Sequence, residues 1–316
     1  GGRGGDTLFD QRFTWWRSGQ RAELLRCWGD DRARALRTRR ASSREAGAAD
    51  PEEEEQRRAR TVERAIALIE DGELSRACRM LHSAGLAPLT PGVVEQLRRK
   101  HPPRRTPMPA TLPGFFPRVT VSLTETFRGL RRRRGTGPTG LRNEYLRALV
   151  ARFDDARADT VMASYDAFAT SLANAEMPSW FYLLIGSARL VPLVKAAPTE
   201  PGGEPDARPV AVGEVALCAI TRAIYRAAEE ALGDYLGPQQ LAVGVPGGLA
   251  ILVHGLRALL RDRPDFVVVR LDLRNAYNEI DRTVTLRRLA AIPELQVLAP
   301  FFHALHAPSA MLRLGV

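Results

Sequence analysis

The sequence predicts an α+β fold preceded by a helical hairpin, on three observations. Apolar residues recur at helical spacing over long stretches, short β-branched runs stand among those stretches, and a proline- and arginine-rich segment separates a helical front from the mixed region behind it. The hairpin comes first, within residues 57–87. Val62, Ile66 and Ile69 repeat at helical spacing, Gly72 stops that helix, and Leu74, Ala77 and Leu81 repeat the pattern before Gly85. Both charges are mixed along it, which favours a packing module over a DNA-reading helix-turn-helix. Residues 1–56 carry an arginine-rich stretch, Arg32 to Arg44, and the acidic run Glu52 to Glu55, without a sustained apolar period. They are expected to be disordered and charged, with a short helix around Ala22 to Trp28.

Residues 88–117 are rich in proline and hold Arg98, Arg99, Lys100, Arg104 and Arg105. They read as a basic linker, because proline lacks an amide donor and its ring obstructs regular structure. The mixed domain spans residues 118–316. Its helices are expected at about Leu141 to Val150, Ala156 to Ala173, Glu214 to Leu232 and Gly248 to Arg261. Strands are expected at Ala188 to Lys195, Ala207 to Val212 and Phe266 to Asp272. No internal repeat is visible.

Within 316 residues, 45% apolar and 26% charged content is that of a chain able to build a core. Its 46 Lys and Arg against 36 Asp and Glu leave a net charge of +10, nearly all of the cations being arginine. Guanidinium groups suit bidentate contact with phosphate, so charge alone suggests a nucleic-acid partner. A composition that inflates Arg, Ala, Gly and Pro together gives the same excess. Cys27, Cys78 and Cys218 lie far apart and form neither a disulfide framework nor a zinc knuckle, which fits a reducing compartment. The most apolar run, Trp180 to Val194, is broken by Arg189 and Pro192 and is shorter than the roughly 20 residues of a spanning helix, so no membrane partner is expected. The chain opens Gly1-Gly2-Arg3-Gly4-Gly5 with neither a basic-then-apolar leader nor an initiator Met, which suggests a fragment.

The sharpest local signal is Phe266-Val267-Val268-Val269-Arg270-Leu271-Asp272-Leu273-Arg274-Asn275-Ala276-Tyr277-Asn278. Its β-branched run suits a strand buried on both faces that ends in a carboxylate. An Asp at a strand end can bind a hard cation such as Mg²⁺ through oxygen; it can equally cap the helix that follows.

Four further segments precede this one in a fixed order: Gly137-Pro138-Thr139-Gly140-Leu141, Ala188 to Lys195 ending Pro192-Leu193-Val194-Lys195, Arg208-Pro209-Val210, and Gln240 to Gly248 with Gly244 between. Together the five resemble the reverse transcriptase domain of non-LTR (LINE-type) retrotransposons, whose motifs are G-P-D-G-[IL], P-x-x-K, R-P-[IV], Q-x-x-x-G-x-x-x-G and the catalytic strand. Thr139 stands where that family commonly has Asp, and Asn278 where it commonly has the Asp of an aromatic-Asp pair.

The resemblance implies a partial right-hand polymerase, fingers and the start of the palm, acting on an RNA template, a DNA primer and deoxynucleoside triphosphates. Asp272 would be the catalytic carboxylate and a ligand of two Mg²⁺ ions that align the primer hydroxyl with the nucleotide. Tyr277 would pack beneath the sugar and exclude a 2′-hydroxyl, or would be core packing. Leu273, Arg274, Asn275 and Ala276 would offer backbone N–H groups to the triphosphate, and Lys195 and Arg208 would hold it, unless the two are merely exposed cations beside a loop. Gln240, Gly244 and Gly248 fall in the template and primer region, where Arg131, Arg132, Arg133 and Arg134 could track a backbone or be a solvated run. A nuclear location is plausible on the same basis. His303 and His306 have H-x-x-H spacing without a recognisable third ligand, and a helix surface is the expected setting.

The family's later Asp-Asp hairpin does not occur before Val316, and Asp281 follows Asp272 too closely to replace it. One carboxylate in place of three leaves a two-metal site short of ligands, so the fragment is expected to be inactive alone. The alternative is a non-catalytic nucleic-acid-binding remnant. An unrelated Mg²⁺ phosphotransferase leaves the R-P-V and Q-x-x-x-G segments unexplained.

Overall fold

The computed structural model describes residues 51–112, 114–151, 156–196, 198, 203–238, 240–273, 275–309 and 311–314, with scattered positions before residue 51. The expected disorder of residues 1–56 therefore lies mostly outside the described residues. Of the short helix expected at Ala22 to Trp28, Ala22, Glu23 and Arg26 are described and helical. The chain divides into two compact units, one up to Ser83 and one from Ala84 to Gly315.

In the first unit, helix α1 (Pro51–Glu70) turns at Gly72, with φ of 75°, into helix α2 (Leu74–Leu81). The turn closes by bonds from Gly72 N to Ile69 O (2.9 Å) and from Glu73 N to Leu68 O (2.8 Å), which satisfy carbonyls left at the helix end. Two expectations change. The helix begins at Pro51, so residues 51–56 are helical. The buried face is Ala65, Leu68 and Ala77, whereas Val62, Ile66 and Ile69 stay exposed. Small side chains at the crossing let the helices approach closely.

In the second unit a three-stranded sheet has the order β2-β1-β3. Strands β1 (Ala188–Ala196) and β2 (Asp206–Gly213) pair antiparallel from Ala188↔Gly213 to Ala196↔Asp206, with a bulge between Val194 and Ala196. The short β3 (Leu312–Leu314), not foreseen in the sequence, runs parallel to β1 from Ala188↔Leu312 to Leu190↔Leu314. Helix α3 (Pro91–Arg99) lies within the stretch read as a linker. Thr90 Oγ1 accepts from Val93 N (3.2 Å) and Pro91 occupies the first turn, where its missing amide costs nothing. Its apolar face, Val93 and Leu97, is buried with Leu190 and Ala207 of the sheet. The rest of that stretch is strapped down. Arg104 donates to the carbonyls of Ala307 (2.9 Å) and Pro308 (2.8 Å), and Thr106 Oγ1 donates to Asp281 Oδ2 (2.7 Å).

The main core packs helices α4 (Thr124–Arg128), α5 (Asn143–Ala151), α6 (Ala156–Ala173), α7 (Ser179–Ile185) and α8 (Val215–Ala227) around Phe127, Leu172, Tyr182 and Ile220. Residues 119–123 alternate buried and exposed, and side chains of α6 and of Asn174 just after it take the place of a neighbouring strand for them. Asn174, Thr170 and Asp166 accept from the backbone amides of Val119, Val121 and Leu123 at 3.0, 3.0 and 2.8 Å. The single helix expected at Glu214 to Leu232 is two, α8 and α9 (Glu229–Leu236), because Ala228 leaves helical geometry at φ of −116°. Helix α10 (Gly248–Asp262) matches its expected span within a residue.

The strand expected at Phe266 to Asp272 is absent. The segment joins no sheet, and Val267 and Leu271 are each 86% exposed. A run built for burial on both faces becomes a strand only beside a hydrogen-bonded neighbour, and no described residue supplies one. After it come α11 (Ala276–Glu279), α12 (Arg282–Ala291), a 3₁₀ turn at Pro293–Leu298, and α13 (Ala299–His306).

Candidate active site

The two cations expected to hold a triphosphate lie on the β1–β2 hairpin. Lys195 Nζ stands 3.4 Å from Asp206 Oδ2, and Arg208 is exposed two residues along β2 from that carboxylate. The other oxygen of Asp206 accepts from Lys100 Nζ at 2.5 Å, and Lys100 also donates to Ala207 O at 2.5 Å. The Lys100 hydrogen bond, aided by Lys195, holds the Asp206 carboxyl below its ordinary range. Lys100 arrives at the end of α3, which Gln96 ties to β2 through Ala207 N (3.2 Å) and Pro205 O (3.3 Å). Neither Lys100 nor Asp206 is distinguished in the sequence as more than a charge in a basic or loop segment.

The Gly137 to Leu141 turn is seated on the end of β2. A Cβ at Gly137 would stand 2.6 Å from Gly213 O, so that position has room only for glycine. Thr139 donates from both N (2.7 Å) and Oγ1 (2.6 Å) to the carboxylate of Glu214, which is 5% exposed. The Thr139 hydroxyl satisfies the buried Glu214, whereas an Asp there would set two carboxylates against each other.

Asp272 is exposed and caps no helix among the described residues, where Asn275 rather than Asp272 precedes the next helix, against the helix-cap alternative. The caps are elsewhere: Asn275, in left-handed geometry with φ of 57°, precedes α11, and Asp281 accepts from Thr283 N (2.8 Å) and Val284 N (3.1 Å) before α12. Tyr277 is 94% exposed, so core packing does not explain it. Leu273 and Ala276 are exposed and Asn275 is half-buried, while Arg274 lies outside the described residues. Asn278 donates to Lys100 O (2.8 Å) and Asn275 Oδ1 (2.9 Å), and Asn275 Nδ2 donates to the same Lys100 carbonyl (2.9 Å). An ionised Asp at position 278 would have no proton for that carbonyl.

Gln240, Gly244 and Gly248 prove to be parts of one turn. Gln240 Oε1 accepts from Val243 N at 3.0 Å, Gly244 has φ of 70°, and a Cβ at Gly248 would fall 1.7 Å from Leu241 O. All three residues therefore have local backbone reasons for their identity.

Arg131 to Arg134 form an exposed loop whose backbone is held by α5. Arg133, at φ of 55°, donates its amide to Glu144 Oε1 (2.6 Å), and Asn143 Nδ2 donates to Arg131 O (2.6 Å). Burial opposes ionisation of Glu144, but the Arg133 amide and the positive charges of Arg142 and Arg132 outweigh it and hold the carboxyl below its ordinary range. Beside this loop is a groove of about 590 Å³ lined by Arg128, Arg132, Arg133 and Arg147, with Glu144. Arg147 is fixed by bonds to the carbonyls of Arg128 (2.7 Å) and Leu130 (2.6 Å). Sequence reading found the run but missed Arg128 and Arg147, which join it only through the turn at Gly129 and the packing of α5.

For Mg²⁺, Asp272 offers one exposed carboxylate. The neighbouring acids are engaged, Glu279 with Arg105 (3.0 Å) and Asp281 with its cap and Thr106, and the described residues contain no cluster of three or more His, Cys, Asp or Glu suited to a metal. His303 and His306 are half-buried rather than on an open helix surface. His303 Nε2 is bonded to Pro109 O (2.7 Å), and burial with Arg282 and Arg104 nearby lowers the His306 pKa to about 4. Among the described residues no helix is long and apolar enough to cross a membrane.

No model of a known protein family matches this chain, and no curated protein matches it.

Proposed function

We propose that this chain is the front part of an RNA-directed DNA polymerase of the non-LTR retrotransposon type, with Asp272 as the first metal-binding carboxylate and Lys195, Arg208 and Tyr277 around the incoming nucleotide. The observation that carries the reading is the order of five motifs between Gly137 and Asn278. Its support is local. Both departures, Thr139 and Asn278, are hydrogen-bonded, and Asp272, Tyr277 and Arg208 are all exposed, as groups that meet a substrate must be. In the intact protein the chemistry would be nucleotidyl transfer to a primer hydroxyl, with Mg²⁺ lowering the charge on the phosphates. The 316 residues themselves supply one such carboxylate, which leaves a nucleic-acid-binding role as the second reading, favoured by the arginine groove beside α5.

Both readings require binding to nucleic acid, and fluorescence anisotropy with a primed RNA template across a salt series tests it. Affinity is expected to fall by tenfold or more between about 50 and about 200 mM salt, with little sequence preference, because each neutralised phosphate releases counterions. Arg128→Ala with Arg132→Ala should flatten that slope by about two. Affinity that is unchanged across the series would remove the nucleic-acid partner.

A further inference from the structure

We infer that Lys100 is a nucleotide-positioning residue: its ammonium is a third cation for the triphosphate beside Lys195 and Arg208, and its carbonyl anchors the loop that carries Tyr277. The inference rests on the polymerase reading for the identity of the nucleotide, but its geometry stands on its own. Lys100 is where two otherwise separate parts of the candidate site meet. Its side chain reaches Asp206 Oδ1 (2.5 Å), whose second oxygen lies 3.4 Å from Lys195, while its carbonyl accepts from Asn275 (2.9 Å) and Asn278 (2.8 Å), on either side of Tyr277.

The charge arrangement favours a polyphosphate over a single carboxylate ligand. Lys100 and Lys195 both pair with one acid, Asp206, and Arg208 stands two residues along β2 from it, so that among the described residues three cations share one carboxylate there. Asp206 and Arg208 are two apart on one strand and so project to the same face, and the Arg208 guanidinium pairs with no carboxylate among the described residues. All four groups are accessible to solvent. Asp206 thus holds the ammonium groups where phosphate oxygens would sit and gives them up to a more highly charged anion.

The test is equilibrium dialysis of the 316-residue chain against thymidine triphosphate and against inorganic triphosphate, with Mg²⁺ present. Lys100→Ala is expected to weaken both by about tenfold, and Lys100→Arg to recover most of the loss, as for removal and restoration of one charge-assisted contact. Asp206→Asn breaks the same ion pair without removing a cation and should strengthen binding severalfold. An ion pair that only docks α3 gives the opposite pattern: both variants lower the melting temperature and neither changes affinity as stated. Lys195→Ala weakening the nucleotide while Lys100→Ala stays within about twofold would overturn the role of Lys100 and leave the polymerase reading in place. Loss of both ligands in Lys100→Ala, with the nucleotide bound no better than inorganic triphosphate in the parent, would keep the anion site and count against the polymerase. A parent chain that binds neither ligand overturns the inference.

Discussion

Under the proposed function, Asp272→Asn, in a chain extended to carry the paired-carboxylate hairpin of non-LTR reverse transcriptases, is expected to lower RNA-templated deoxynucleotide incorporation by about three orders of magnitude while leaving affinity for primed template within about twofold. The substitution keeps the shape of the side chain and removes the charge that a metal ion requires. Asp272 is exposed, bonds to no other described residue and caps no helix, so its loss should cost little stability and the kinetic effect would be clean. Single-turnover primer extension separates the two quantities. A rate within a few-fold of the parent would make Asp272 an ordinary surface acid and leave the basic groove as the functional element.

Tyr277→Val is expected to raise ribonucleotide incorporation relative to deoxynucleotide by about a hundredfold in the same extended chain, because under the proposed function the ring would fill the space beside the 2′ carbon. With 94% of Tyr277 exposed, the change should alter folding stability by no more than about 0.5 kcal/mol, so a change in sugar preference could not be assigned to a damaged core. Competition between the two nucleotide types on one template measures the ratio directly. An unchanged ratio with full activity would show that Tyr277 does not face the sugar.

How much of this was legible in the sequence depended on whether the cause was local. The β1–β2 hairpin, the turn at Gly72 and helices α6 and α10 are each fixed by residues within a few positions, and their spacing announces them. The folding of the proline-rich stretch was not legible, because its anchors are distant: Lys100 meets Asp206, Thr106 meets Asp281 and Arg104 meets carbonyls near residue 308. Composition shows that such a segment lacks amide donors, not that its side chains find partners elsewhere. The Phe266 to Asp272 run shows the converse: strand propensity was plain, yet propensity without a neighbouring ladder leaves an extended, exposed segment. Of the candidate site, the identities of Asp272, Tyr277, Lys195 and Arg208 came from motif order. The carboxylate of Asp206 and the link through Lys100 emerged only once α3 was docked on the sheet.

RNA-templated primer extension with deoxynucleotides and Mg²⁺, run side by side on the 316-residue chain and on the chain extended through the paired-carboxylate hairpin, tests the polymerase reading most directly. Incorporation is expected from the extended chain alone, since only there can three carboxylates assemble around the metal ions. Robust incorporation by the 316-residue chain, or none by a folded extended chain that binds primed template, would contradict it.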